Sequence, residues 1–370
     1  MIKVLHCYKT YYPDTFGGIE QVIYQLAEGG VTRDISSTVF THTPNESGEA
    51  SLDNHLIVRN KTSFEAASTP FSFSSFKKFR ELADKSDIIH YHFPYPFMDV
   101  LHFSNFTKKP SIVSYHSDIV KQKALLKLYT PLMNRFLSSV DCIVAASPNY
   151  VESSPILQKF KDKVKVIPYG LNESFYQNND PQVLEKWSQR FPNGFFLFIG
   201  TFRYYKGLHI LIDAVAGSDY PVVIVGAGPI ESELKAQAQS LGIDNIHFLG
   251  ALQDDDKSAL LQLCTCLVFP SHLRSEAFGI SLLEGALYSK PLISSEIGTG
   301  TTFINIDGLT GLVVPPSDPR ALRKAMDEIW FNPEKAHTFG QAAQQRFEKL
   351  FTADKMIESY AGLYMSLLNK

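Results

Sequence analysis

Ser271-His-Leu-Arg-Ser-Glu276-Ala-Phe-Gly279-Ile-Ser-Leu-Leu-Glu284-Gly-Ala-Leu-Tyr-Ser-Lys290 decides how this chain is read. The apolar run before it, Cys266-Leu-Val-Phe-Pro270, predicts a buried strand that ends at proline. After Gly279, Ile280, Leu283, Ala286 and Leu287 recur at helical spacing. Gly279 lets backbone come close to a ligand, and the amides of Phe278, Gly279 and Ile280 stand at a helix start, a natural anion site. Glu276 lies just before that helix and Glu284 inside it. Two carboxylates around an amide-rich helix start suit a ligand with hydroxyls at both ends and phosphates between them. A sugar nucleotide is such a ligand. On spacing alone, Glu284 is equally a residue on a solvated helix face.

Outward from this stretch, strands and helices alternate. Ile2–Cys7, Ser37–Phe40, Ile57–Val58, Asp87–Tyr91, Ser111–Tyr115, Asp141–Ala146, Lys163–Pro168, Phe195–Gly200, Val222–Val225 and Ile246–Leu252 predict strands. Helices are expected between them, including one from Ile19 to about Gly29, and ligands beyond the carboxyl ends of parallel strands. Lys9-Thr-Tyr-Tyr-Pro-Asp-Thr-Phe-Gly17-Gly18 is the first such loop; paired glycines at a helix start either cradle an anion or simply admit the helix. Val222-Val-Ile-Val-Gly226-Ala-Gly228 lacks the second half of a dinucleotide fingerprint. Thr201-Phe-Arg203-Tyr-Tyr-Lys206-Gly207 sets two cations before another helix, the outline of a phosphate clamp. Asp254-Asp-Asp256 precedes a helix from Lys257 to Cys264 and reads as capping with favourable dipole charge rather than a metal site. His90 and His92 read as structural, and Asp118 as a helix cap.

Composition bounds the function. A length of 370 residues suggests two domains, and 44% hydrophobic residues suffice for their cores. A net charge of -3 argues against a nucleic-acid partner. Cys7, Cys142, Cys264 and Cys266 form no metal or disulfide pattern and are expected as buried thiols in a cytoplasmic protein. Met-Ile-Lys-Val-Leu-His-Cys-Tyr reads as a strand and not as a signal peptide. Residues 121–135 combine Lys121, Lys123, Lys127 and Arg135 with five leucine or methionine residues, and suit either a packed helix or peripheral contact with an anionic membrane surface.

Glu276 and Glu284, seven residues between them, resemble the paired glutamates of retaining family 4 glycosyltransferases of the GT-B fold. Gly17-Gly18-Ile-Glu20, Tyr169-Gly170-Leu-Asn172 and Gly308-Leu-Thr-Gly311 resemble other motifs of that family, in the same order along nearly the whole chain. The resemblance implies an α/β protein of two Rossmann-like domains facing a cleft. Residues 1–172 would form the acceptor-side domain, with 353–370 crossing back to it, and 173–352 the donor-binding domain. It implies that Arg203 and Lys206, here three residues apart where five or six is commoner, hold the donor diphosphate together with Gly17, Gly18 and the helix start at Gly279. Glu276 would hold hexose hydroxyls, Glu284 the ribose, and Gly250 would lie near the base. His116 would hydrogen-bond the transferred sugar. No metal or other cofactor is expected, the sugar nucleotide being a substrate. Ile297-Gly-Thr-Gly300 departs from the usual glycine-rich version and, with Tyr8-Lys-Thr-Tyr-Tyr-Pro-Asp14 and the run from His116 to Lys127, resembles bacterial mannosyltransferases that build O-antigen polysaccharide on a lipid carrier. GDP-mannose and a lipid-diphosphate-linked sugar are then the expected substrates. The alternatives are another donor or acceptor, a GT-B epimerase or phosphorylase, or a non-catalytic protein that binds sugar nucleotides or lipid surfaces.

Overall fold

The computed structural model describes the chain except residues 16, 68, 105–107, 120–122, 177–179 and 370, and omits the side chains of 123 and 124. The described chain divides into two compact units: Met1–Gly170 with Ala353–Lys370, and Leu171–Thr352.

Among the described residues, the first unit has ten strands. These are β1 (Ile2–Cys7), β2 (Ile35–Thr43), β3 (Gly48–Leu52), β4 (His55–Lys61), β5 (Phe64–Ala66), β6 (Thr69–Phe71), β7 (Ile88–Phe93), β8 (Ser111–Tyr115), β9 (Cys142–Ala145) and β10 (Val164–Val166). Eight of them form one sheet in the order β10-β9-β8-β7-β1-β2-β4-β3, parallel except where β3 pairs antiparallel with β4. Its central strands are buried on both faces, as expected when helices cover both sides of a parallel sheet. The helix Gly18–Gly30 follows β1, and the C-terminal helix Ala353–Leu368 packs on it. Gly29 allows this contact, because a Cβ there would come within 2.0 Å of the Ile357 side chain. The hairpin β5–β6 stands apart from the main sheet and was not expected from the sequence; its strands are only three residues long.

The second unit is a six-stranded, wholly parallel sheet of β11 (Phe196–Ile199), β12 (Val222–Val225), β13 (Ile246–Gly250), β14 (Cys266–Phe269), β15 (Leu292–Ser295) and β16 (Gly311–Val314). The order is β13-β12-β11-β14-β15-β16, so the direction of winding reverses between β11 and β14. In such sheets ligands collect at that reversal, beyond the carboxyl ends of the strands. The core is continuous from Phe196, Ile224 and Val268 to Leu211, Met326 and Phe339, and burying each such side chain contributes about 1.5–3 kcal/mol. No helix among the described residues is long and apolar enough to cross a membrane.

Candidate active site

At the reversal in the second unit, Arg203 and Lys206 follow β11, and Glu276 follows β14. A single 3-10 turn, Tyr204–Lys206, ends in Gly207, whose φ of +74° suits glycine. A Cβ on Gly207 would lie 2.0 Å from the Pro270 carbonyl oxygen. That close approach seats the turn against the end of β14. Lys206 Nζ donates to Glu276 Oε2 at 2.5 Å, and Ser271 Oγ donates to the same oxygen at 3.5 Å. The short spacing of Arg203 and Lys206 thus delivers the lysine to the glutamate. Burial alone would lower the Lys206 pKa, but Glu276, with Tyr205 and Glu284 behind it, outweighs burial and raises it. The ammonium therefore stays charged at neutral pH. Arg203 is exposed, and its guanidinium makes no hydrogen bond or ion pair among the described residues, though its charge is felt by Tyr205.

The loop carrying Glu276 is pinned from two sides. Arg274 Nη1 donates to the Gly298 carbonyl at 3.0 Å, and the Gly300 amide to the Ala277 carbonyl at 2.9 Å. A side chain at Gly300 would collide with Phe278, so Ile297-Gly-Thr-Gly300 is fitted to this loop. Gly279 has a φ of +97° and caps the helix Ile280–Leu287. Glu284, inside that helix, is half-buried, and Tyr176 Oη donates to its Oε1 at 2.9 Å. Burial raises its pKa, against the pull of Lys257 and the Tyr176 bond. It is not a residue of a solvated face. Gly250 closes β13, its carbonyl accepting the Gly226 amide at 2.8 Å. Asp254, Asp255 and Asp256 form the first turn of the helix Asp254–Leu263 and make no capping hydrogen bond; the negative charge sits at the positive end of the helix dipole. Asp256 accepts from Trp187 and Lys186.

In the first unit, register builds a stripe of imidazoles. His6 on β1 pairs with His90 on β7, and His92 pairs with Ser114 on β8. Side chains two apart share a face of a strand, so His6, His90, His92, Ser114 and His116 lie along one side. His6 Nδ1 is 3.1 Å from His92 Nε2, His92 Nδ1 is 3.0 Å from His116 Nε2, and His116 Nδ1 is 2.5 Å from Tyr169 Oη. His90 is hydrogen-bonded to Tyr364 of the C-terminal helix and to Ser114. Burial lowers the pKa of all four, to about 3 for His6 and His116, so they are neutral. His6, His90 and His92 could group around a cation, but every one of their ring nitrogens already has a partner. His116 is 5% exposed with both ring nitrogens engaged, so a sugar hydroxyl reaches the ring only by replacing one of those bonds.

Two further expectations change. Gly17 and Gly18 do open the helix, yet the Glu20 carboxylate folds back against Gly17, held by the hydroxyls of Thr10 and Thr15 at 2.9 Å. That carboxylate already occupies the Gly17 side of the helix start, so the two glycines present no open anion cradle there. Asp118 is not a helix cap: the next helix is Lys123–Ser139, and the carboxylate accepts from Tyr115 and Ser154. Lys121 lies outside the described residues.

Two family models match the chain, glycosyl transferases group 1 over residues 184–346 and glycosyltransferase family 4 over residues 16–175. Over 368 residues, 99% of both chains, it is 56% identical to the O-antigen chain mannosyltransferase C of Escherichia coli. The chain belongs to the family 4 glycosyltransferases. This glycosyltransferase is also 56% identical to the D-rhamnosyltransferase WbpZ of Pseudomonas aeruginosa, over 95% of this chain and 93% of that one. The sucrose-phosphate synthase of Thermosynechococcus elongatus shares the fold, with a TM-score of 0.82 over 100% of both chains at 20% identity. The two units are therefore the Rossmann-like domains of a GT-B enzyme. Within the glycosyltransferase, Ser271, Tyr176 and Tyr169 adjoin the expected site residues and were missed in the sequence, whereas His92, read there as structural, is buried and hydrogen-bonded to His116. Only the alternation His90-Tyr-His92, in phase with His6, could have pointed to the histidine chain.

Proposed function

We propose that this glycosyltransferase moves a mannosyl group from GDP-mannose to a sugar linked to a lipid diphosphate, with retention at the anomeric carbon, in O-antigen synthesis. The carrying observation is the Lys206–Glu276 pair at the strand reversal of the second unit, where a charged lysine and a carboxylate stand side by side. Lys206 and Arg203 offset charge that develops on the leaving diphosphate, together with the helix start at Gly279. These groups take the place of a divalent metal. Glu276 holds hexose hydroxyls, and Glu284 the ribose. The acceptor hydroxyl attacks the anomeric carbon from the face that the diphosphate leaves, and its proton passes to the departing phosphate oxygen. The His116 ring, relieved of one of its two bonds, orients the hexose.

The two relatives at 56% identity are named for mannose and for D-rhamnose, which lacks the C6 hydroxyl of mannose. A deoxyhexose donor is therefore the second reading. Peripheral contact with the cytoplasmic face of a membrane fits the exposed Leu125, Lys127 and Leu128 of the helix Lys123–Ser139. The test is a panel of sugar nucleotides offered with a synthetic N-acetylglucosaminyl-diphosphate lipid, the lipid read by mass spectrometry. Gain of one hexose from GDP-mannose supports the proposal. Gain only from a deoxyhexose donor selects the second reading, and no gain from any donor overturns both.

A further inference from the structure

A groove of about 430 Å³ opens in the first unit, within the size range of small-molecule sites. Its walls are Phe71 of β6, Pro94 just beyond β7, Ile119 beyond β8, and Leu125, Leu126 and Leu128 of the helix Lys123–Ser139. It therefore lies at the carboxyl ends of the strands, the same edge of the sheet as His116. Leu125 is 51% exposed and Leu128 80%, which is costly for leucine unless something covers them. The apolar surface continues outward: Phe64 stacks on Phe71 at 5.0 Å, and Phe73, 76% exposed, stands next to Phe64.

One lining residue is out of keeping. Lys9 follows β1 into the groove, partly buried, and its ammonium has no hydrogen-bond or ion-pair partner among the described residues. Burial lowers its pKa, and Glu20 and Glu65 oppose this only in part. A cation without a hydrogen-bonded partner on the wall of a largely apolar groove complements a molecule with an anionic head and a long apolar chain. A peptide fits less well, because its backbone would find few polar partners along these walls.

We propose that this groove binds the acceptor's lipid, its hydrocarbon chain along Leu125, Leu128 and Phe71 and its phosphate at Lys9. This rests on the lipid-diphosphate acceptor proposed above and assigns that acceptor a seat. With the phosphate at Lys9, the attached sugar is directed along the edge that carries His116: the Tyr8 ring, next to Lys9 in sequence, lies 6.5 Å from the His116 ring.

The test reads binding without turnover. A dansyl-tagged undecyl diphosphate is titrated against the full chain and against Leu128→Asp and Lys9→Gln, each checked for an unchanged far-ultraviolet spectrum. Burial is worth roughly fourfold in affinity per methylene, from ~0.8 kcal/mol each. The undecyl probe is thus expected to bind at least a hundredfold more tightly than a butyl diphosphate or inorganic diphosphate, and each variant to weaken it tenfold or more. Because Leu128 is so exposed, its replacement leaves the fold intact. Equal affinity for long and short chains, or for wild type and Leu128→Asp, overturns the groove, even if mannosyl transfer proceeds. Binding to phosphatidylglycerol vesicles without binding of the monomeric probe also overturns it, in favour of a bilayer surface. Chain-dependent probe binding that is lost in both variants supports the groove, even if no sugar nucleotide is turned over.

Discussion

Nδ1 of His92 lies 3.0 Å from Nε2 of His116, and the two rings stack with planes 10° apart. A neutral imidazole donates from one nitrogen and accepts at the other. Because His92 also meets His6, and His116 also meets Tyr169, the direction of one hydrogen bond fixes the direction of the next. The tautomer of His116 is thus set by residues buried behind it.

Removing His92 should therefore be felt at His116. His92→Phe leaves His116 Nε2 and His6 Nδ1 buried and unpaired, at a cost of about 1–3 kcal/mol for each group. Urea denaturation should show a loss of that order. His92→Gln, which keeps a donor and an acceptor, should lose less and should recover activity that His92→Phe lacks.

The buried histidines also set the acid limit. His6, His42, His90, His92 and His116 all have pKa values lowered by burial, His42 to about 4. The unfolded chain binds protons at these rings below pH ~6.5, whereas the folded chain does not, so stability falls as pH falls through that window. Each ring adds a slope approaching ~1.4 kcal/mol per pH unit, and five such slopes rival a total stability of about 5–15 kcal/mol. Thermal melts between pH 7.5 and 5 should show a steep drop below pH ~6.5. A melting temperature flat to pH 5 would contradict neutral, buried rings.

Asp99 runs the other way. It is wholly buried, its Oδ1 has no hydrogen-bond partner among the described residues, and burial raises its pKa well above the carboxylate range against the opposing Tyr129 bond. A raised carboxyl pKa favours folding below the unfolded value and costs stability as pH rises towards the folded one. Asp99→Asn should therefore raise the melting temperature at pH 7, and the gain should fade towards pH 4.

Gly207→Ala tests the placement of Lys206. The new Cβ would meet the Pro270 carbonyl oxygen at 2.0 Å, in a backbone conformation that disfavours alanine. The turn must shift and carry the ammonium away from Glu276. Stability should fall by more than ~1 kcal/mol, and transfer activity by more than the fold loss explains.

Much of the second unit was legible because its strands are short, continuous apolar runs, Val222–Val225 and Cys266–Phe269 among them, each followed by a loop at the carboxyl edge of the sheet. Lys206 stood out as a cation in such a loop, and Glu276 and Glu284 by their spacing around a helix start. The histidine chain was not legible, because it depends on which residues of β1, β7 and β8 stand side by side. Register does that, and His6 and His90 are far apart in sequence. Glu20 folding back on Gly17 was equally hidden, since the sequence does not fix the side chain's direction. The hairpin β5–β6 was missed because three-residue strands carry almost no periodic signal.

Lys206, paired with Glu276 at the strand reversal, is proposed to stabilise the departing diphosphate. Single-turnover transfer from GDP-mannose to the lipid-diphosphate acceptor, compared for wild type and Lys206→Gln at saturating donor, tests it most directly. The expected result is a rate lowered by about 10²–10³-fold, the usual loss when one group stabilising transition-state charge is removed. A rate within about twofold of wild type, against that expected loss, would contradict it.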